Sequence, residues 1–352
     1  MSGYAGLIPI NVITGFLGSG KTTLLQRLLA TPSLHNTAVL INEFGEIGLD
    51  HQLLEHVDEA TLLLDNGCLC CAVRGDLQAA LQDLLSRRQR GTVPAFERIV
   101  IETSGLADPV PIAYTLLTDP VLQHHLRLGN IVTTLDAVNG AAQLERFPES
   151  RKQIAIADRV LLTKTGLLTD GEDHAPLERA VRRLNRLAPI GVAEQVGGLI
   201  EGLLTDDLYD AAGKERAVAH WLEAAGEGDA PEGDEGLAHE HAGDVGSFTL
   251  SFEGALDWSA FGIWLSMLLH RHGERVLRVK GLLNVSGLAT PVLINGVQHI
   301  VHPPGHLAAW PDADRRSRLI FIVQGIARAP IEASFRRFLS LSNPPDGDRR
   351  AA

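Results

Sequence analysis

Nine residues, Gly15-Phe16-Leu17-Gly18-Ser19-Gly20-Lys21-Thr22-Thr23, stand directly between the apolar run Leu7 to Ile13 and the spaced leucines Leu24, Leu25, Leu28 and Leu29. Strand, glycine-rich loop and amphipathic helix in that order form a phosphate-binding P-loop. It constrains the chain to an α/β fold with this loop at the carboxyl edge of a sheet. Gly15, Gly18 and Gly20 let the backbone curl, so that successive N–H groups, with Ser19 and Thr23 alongside, face phosphate oxygens. Lys21 would reach the β and γ phosphates and Thr22 would ligate Mg²⁺.

The rest of the first two hundred residues agrees. Ala38 to Asn42, Leu62 to Leu64, Arg98 to Ile101, Ile131 to Leu135, Arg159 to Thr163 and Ile190 to Ala193 read as short strands, several apolar throughout and so covered on both faces. Leu77 to Arg88 and Leu177 to Leu187 carry helical spacing. The expected fold is a P-loop NTPase with a mainly parallel sheet and helices on both faces, over residues 1–225. Residues 226–246 are Gly, Asp, Glu, Ala and His with hardly any large apolar side chain, and are expected to be a flexible linker. Beyond it, Ser247 to Glu253, Val276 to Val285, Pro291 to Asn295 and Arg318 to Val323 read as strands, and Trp258 to His270 and Ile331 to Leu341 as helices. A smaller α+β domain over 247–342 and a disordered tail over 343–352 follow.

With 352 residues, 45% of them hydrophobic, the chain is long enough for two cores. A formal charge of -12 argues against a nucleic-acid surface. No apolar stretch approaches the ~20 residues that span a bilayer, and the first residues carry no basic leader. A cytoplasmic protein without a membrane partner is expected.

Four further segments carry chemistry. The strand Arg98 to Glu102 ends in an acid that would hold Mg²⁺ directly or through water, and Glu102-Thr103-Ser104-Gly105 reads as a γ-phosphate switch with the Gly105 N–H as sensor. Thr163-Lys164-Thr165-Gly166 occupies the place of the Asn-Lys-x-Asp motif of GTPases. The Lys164 stem would stack on a base, but the guanine-selecting acid is replaced by Gly166 unless Asp170 or Asp173 swings in. Asn185 and Ala188 are expected to line the other side of the base. Asn66-Gly67-Cys68-Leu69-Cys70-Cys71 holds all three cysteines of the chain on a turn. So clustered and odd a set is no disulfide framework, and three thiolates suit a soft cation that is received and given up, with apolar burial as the alternative. Glu43, in Asn42-Glu43-Phe44-Gly45-Glu46, would complete that cation site or serve Mg²⁺ and water. His239 and His241 in the linker, and His299, His302 and His306 beyond it, are weaker metal candidates.

Together, Gly15 to Thr23, Asn42 to Glu46, Asn66 to Cys71, Glu102 to Pro109 and Thr163-Lys164-Thr165 resemble the CobW-type metal-handling GTPases, relatives of the urease and hydrogenase maturation GTPases. Lys280-Gly281-Leu282-Leu283, Gln298-His299 and Arg315 to Leu319 resemble the CobW C-terminal domain. The resemblance implies a GTP-hydrolysing metallochaperone that delivers Zn²⁺, or Co²⁺ or Ni²⁺, to a client metalloprotein, with homodimerisation admitted. It gives Lys21 and Thr22 to phosphate and Mg²⁺, Glu102 to the Mg²⁺ shell, and Cys68, Cys70 and Cys71 to the transferred metal. Gly166 departs from the pattern and leaves GTP against ATP open. Leu106 stands where a Ras-type GTPase keeps a water-orienting Gln, so unassisted turnover near ~10⁻³ s⁻¹ is expected. A phosphotransferase, or a metal buffer without turnover, are the competing readings.

Overall fold

The strands Ile8–Gly15, Thr37–Ile41 and Arg98–Glu102 are buried nearly throughout, so the sheet they form needs cover on both faces, and that requirement decides how the layers assemble. The computed structural model describes residues 6–31, 34, 36–41, 62–65, 74–168, 173–195, 202–204, 214–215, 218–219 and 245–342, with elements in two compact units, residues 1–217 and 218–352. In the first unit, β1 (Ile8–Gly15), β2 (Thr37–Ile41), β3 (Leu62–Asp65), β4 (Arg98–Glu102), β5 (Leu126–Asp136), β6 (Arg159–Thr163) and β7 (Ile190–Val192) form one sheet. Its order is β3-β2-β4-β1-β5-β6-β7, and every adjacent pair is parallel. Side chains alternate between faces with period two. On β6, Leu161 enters one core with Ile13, Val39, Val100 and Val132, whereas Val160 and Leu162 enter another with Leu135 and Leu144.

The first of these cores is closed by Leu24, Leu25, Leu28 and Leu29 of α1 (Lys21–Leu29). The second is closed by α4 (Gly140–Arg146), α5 (Pro148–Ile156) and α6 (Ala175–Leu184), through residues such as Leu144, Ile154, Leu177 and Val181. Two further helices of the unit are α2 (Arg74–Gln89) and α3 (Val110–Thr118). The expected α/β sheet is therefore present with seven strands. Several boundaries differ from expectation by a few residues, and two of them have a clear physical reason. β5 begins five residues before Ile131, because Gly129 and Asn130 interrupt its apolar pattern while remaining in the strand. A Cβ on Gly129 would lie 2.5 Å from Asn11 Oδ1, the oxygen that accepts from the Asn130 N–H at 2.8 Å. α6 ends at Leu184, before Leu187, where Asn185 turns to ψ 94°.

In the second unit, β8 (Val245–Phe252), β9 (Val276–Leu283), β10 (Val292–Val297), β11 (Ile300–Val301), β12 (Gly305–His306) and β13 (Ser317–Gln324) make an antiparallel sheet ordered β11-β10-β9-β13-β8, with β12 paired to β10. Helices α7 (Trp258–His272) and α8 (Arg328–Ser342) pack on it through Phe261, Trp264, Phe321, Ile331 and Phe335. Asp257 starts α7 by accepting from the Ala260 N–H at 2.7 Å, one of the otherwise orphaned first-turn donors. Trp264 donates to Ser334 Oγ at 3.2 Å and ties α7 to α8. Trp264 is thus a core residue, whereas Trp258 stays 40% exposed and Trp310 lies beneath the Arg315 guanidinium. Residues 226–244 of the expected linker and the tail beyond residue 342 lie outside the described residues, whereas Val245 and Gly246, expected in the linker, open β8.

Candidate functional site

The loop between β1 and α1 owes its course to three glycines with positive φ: Gly15 at 143°, Gly18 at 71° and Gly20 at 88°. Gly15 is the tightest. Parallel register pairs it with Thr134 of β5, and a Cβ there would lie 2.4 Å from Thr134 O and 2.6 Å from Ser19 Oγ. Hydroxyls from three strand ends hold the loop. Ser19 Oγ and Thr134 Oγ1 share a 2.6 Å hydrogen bond, Thr163 Oγ1 donates to Ser19 O at 2.7 Å, and Thr103 Oγ1 donates to Thr14 Oγ1 at 2.8 Å. All five of these side chains are buried. Buried polar atoms that are satisfied in this way fix one conformation, so the loop is built before any phosphate arrives.

Lys21, only 8% exposed, curls back and donates to Gly15 O and Phe16 O, both at 3.2 Å. Its ammonium therefore lies over the mouth of the loop, at the positive end of α1, where phosphate oxygens are favoured. Thr22 Oγ1 donates to Glu102 Oε1 at 2.6 Å, and Glu102 is 1% exposed. The register explains the meeting: Glu102, the last residue of β4, lies beside Ile13 of β1 and Ile41 of β2. A hydroxyl and a carboxylate oxygen in contact are the hard donor set that Mg²⁺ takes beside phosphate. Thr23, one residue on, faces out and is exposed.

The γ-phosphate switch leaves β4 and lies against the P-loop itself: a Cβ on Gly105 would stand 2.6 Å from the Leu17 backbone nitrogen. Close approach of two backbones is why glycine is there. Gln153 of α5, missed in the sequence, donates from Nε2 to Gly105 O at 3.2 Å and Ala107 O at 3.0 Å. The preceding residue, Lys152, pairs with Asp108 at 2.6 Å. The switch is thus latched to α5, while Leu106 at its tip is 52% exposed.

The loops expected to face the base follow β6 and β7. Lys164 adopts a left-handed backbone, φ 60°, and its ammonium pairs with Asp136 at 2.8 Å. Burial alone would raise the Asp136 carboxyl. Hydrogen bonds from Lys164, Asn139 and the Asn139 and Val138 N–H groups outweigh it and leave the carboxyl below its ordinary value. Glu194, in the 3₁₀ turn Ala193–Gln195, accepts from the Lys164 N–H at 2.8 Å and the Thr165 hydroxyl at 3.1 Å. Neither Asp136 nor Glu194 was singled out from the sequence; an acid closing the apolar strand Ile131 to Leu135 was the available signal for the first.

Asn185 requires correction. Its amide donates to Ile154 O, Ala155 O and Ala157 O at 2.8 to 3.2 Å, and its oxygen accepts from the Leu187 and Ala188 N–H groups at 3.0 and 3.1 Å. Only 1% exposed, it clamps α6 to α5 and has no atom left for a base; Ala188 is likewise buried in the core. Asp173 accepts from the Ala175 N–H and starts α6. Asp170, Glu43, Cys68, Cys70, Cys71, His239 and His241 lie outside the described residues. Among the described residues no three His, Cys, Asp or Glu side chains gather as a metal site, and His299 bonds Leu269 O through Nδ1 at 3.0 Å. No helix among them is long and apolar enough to cross a membrane.

Residues 9–191 match the CobW/HypB/UreG nucleotide-binding domain, and residues 245–339 the cobalamin synthesis protein CobW C-terminal domain. The zinc chaperone YjiA of Escherichia coli (strain K12) is 31% identical over 334 residues, covering 93% of this chain and 98% of that protein. The zinc chaperone CobW of Sinorhizobium sp. is 29% identical over 351 residues, covering 90% and 93%. The crystal structure of Zn(II)-bound YjiA GTPase from E. coli superposes with a TM-score of 0.66 at 30% identity, over 94% of this chain and 99% of that one.

Proposed function

The chain belongs to the CobW/HypB/UreG family, and we propose that it is a GTP-hydrolysing zinc metallochaperone. One observation carries the reading. A preformed P-loop, with Lys21 over its mouth and Thr22 on Glu102, sits in a chain similar from end to end to a zinc chaperone whose crystallised form is called a GTPase. GTP is the substrate, and the transferred zinc is cargo.

The chemistry follows from the placed groups. Phosphoryl transfer to water needs positioning and charge stabilisation rather than covalent help. Backbone N–H groups of the loop hold the β and γ phosphates, and Lys21 exchanges two carbonyls for phosphate oxygens. Mg²⁺, where Thr22 and Glu102 would hold it, supplies further charge neutralisation. The Gly105 N–H is placed to sense the γ-phosphate, and the Gln153 and Lys152 contacts are what a change there would strain or release. Leu106 offers no hydrogen bond to orient water, so turnover alone is slow and a client or the cargo accelerates it.

The cargo ligands are Cys68, Cys70 and Cys71, with Glu43 as a fourth group. Three thiolates, with Glu43 exchangeable in the fourth place, suit zinc in transit, and the same thiolates admit Co²⁺ or Ni²⁺. The client is a metalloprotein met in the cytoplasm, and a homodimer is one assembly this reading admits. The experiment is a zinc titration against a chelating dye, run on the intact chain and on Cys68→Ser/Cys70→Ser/Cys71→Ser. About one tight equivalent in the first and none in the second is expected. Equal tight binding by both contradicts the cargo site.

A further inference from the structure

Gly166 takes away the acid that ordinarily selects guanine, and the loop around it is not collapsed to compensate. A Cβ on Gly166 would meet nothing within 4 Å. We infer that Glu194, on the neighbouring loop, supplies the guanine-selecting carboxylate. The inference rests on the GTP reading above and deepens it by naming how the base is read.

Adjacency comes from the sheet. β6 and β7 are parallel neighbours with Leu162 beside Val192, so the loops that leave their carboxyl ends start side by side. The Glu194 carboxylate crosses that gap. Oε1 takes the Lys164 N–H at 2.8 Å and Oε2 takes the Thr165 hydroxyl at 3.1 Å. Both donors belong to the Thr-Lys-Thr-Gly loop, so the acid arrives within two residues of the position it replaces. The same contact accompanies the left-handed turn at Lys164, whose ammonium is pinned by Asp136 so that its stem stays on this loop.

The side chain is exposed, and each carboxylate oxygen has accepted one hydrogen bond of the roughly two it can take. Two acceptors side by side match the N1–H and 2-amino donors of guanine. Adenine presents a lone pair at N1, which a carboxylate repels. Xanthine keeps N1–H but carries an oxygen at position 2, which needs a donor opposite.

These differences give the test, on the full chain with Mg²⁺, by equilibrium binding of GTP, ATP and XTP. Wild type prefers GTP. Glu194→Gln retains an acceptor for the Lys164 N–H but opposes an amide N–H₂ to the 2-amino group. GTP binding should weaken about 10- to 100-fold, the worth of a hydrogen bond to a charged group. XTP binding should strengthen about 10-fold or more, and ATP should move little. In the Glu194→Ala background, Gly166→Asp should restore preference for GTP, since the open space at Gly166 admits a side chain. Equal losses for all three nucleotides in Glu194→Gln would make Glu194 a loop tether only and overturn the inference, as would unchanged GTP binding. Wild type binding GTP and ATP alike would overturn the GTP reading itself. That failure is read in a different protein from the one that tests Glu194.

Discussion

In the proposed nucleotide site the phosphate side and the base side lie along one carboxyl edge of one sheet, yet they are built in different ways. On the phosphate side, Thr14, Ser19, Thr103, Thr134 and Thr163 are buried and bond one another or the loop backbone. On the base side, Glu194 and Thr165 meet across two loops at the exposed surface. The contrast separates two tasks. Triphosphate is common to every nucleotide and is gripped by a rigid backbone cradle, whereas the base is distinguished by side-chain acceptors that can be exchanged between loops without disturbing the cradle.

The contrast is broken most severely at Gly15. Gly15→Ala places a Cβ against the Thr134 carbonyl at 2.4 Å and holds alanine at φ 143°, so a loss of about 3 kcal/mol or more is expected, read as a fall in midpoint by chemical denaturation. Lys21→Ala leaves the fold but removes the ammonium from the mouth of the loop. Hydrolysis should fall by about 10²- to 10³-fold, measured as phosphate release at saturating Mg²⁺. Retention of full activity would place the catalytic charge elsewhere.

Asn185→Ala sharpens the boundary between the two sides. Five hydrogen bonds are lost and carbonyls at the end of α5 are left buried, so about 2 to 3 kcal/mol of stability should go while the ratio of GTP to ATP affinity stays constant. A changed ratio would return Asn185 to the base site. The smallest effect concerns acid. Asp136 has its folded pKa depressed, so the stability it contributes is present above the unfolded carboxyl value of ~4 and is lost as pH falls through its lower folded value. Asp136→Asn should flatten the stability profile in that window, and an unchanged slope would show that the Lys164 pair contributes nothing there.

What could be read from the sequence follows the same division. The P-loop was legible because its glycines, Lys21 and Thr22 are contiguous and flanked by a strand and a helix. Glu102 was legible because an apolar strand ends on it. Asp136 closes an apolar strand in the same way and was overlooked. Thr134, Gln153 and Glu194 were not legible, because parallel register and helix packing bring them to the site: Gly15 meets Thr134, and the loops of Lys164 and Glu194 start side by side, only once the sheet exists. Asn185 misled for the converse reason. A polar residue beside an expected base loop looks available, and only burial against α5 shows that its hydrogen bonds are spent on carbonyls of the fold.

In the proposed chaperone GTP binding and hydrolysis at the preformed cradle have one purpose, to make zinc affinity depend on the state of the nucleotide. The direct measurement is a competition titration of zinc into the full chain with a non-hydrolysable GTP analogue and Mg²⁺, and again with GDP and Mg²⁺. The account predicts zinc affinities that differ by roughly 5- to 150-fold between the two states, with zinc changing the analogue's affinity relative to GDP by that same factor, as linkage requires. Identical zinc affinity in both states would contradict it.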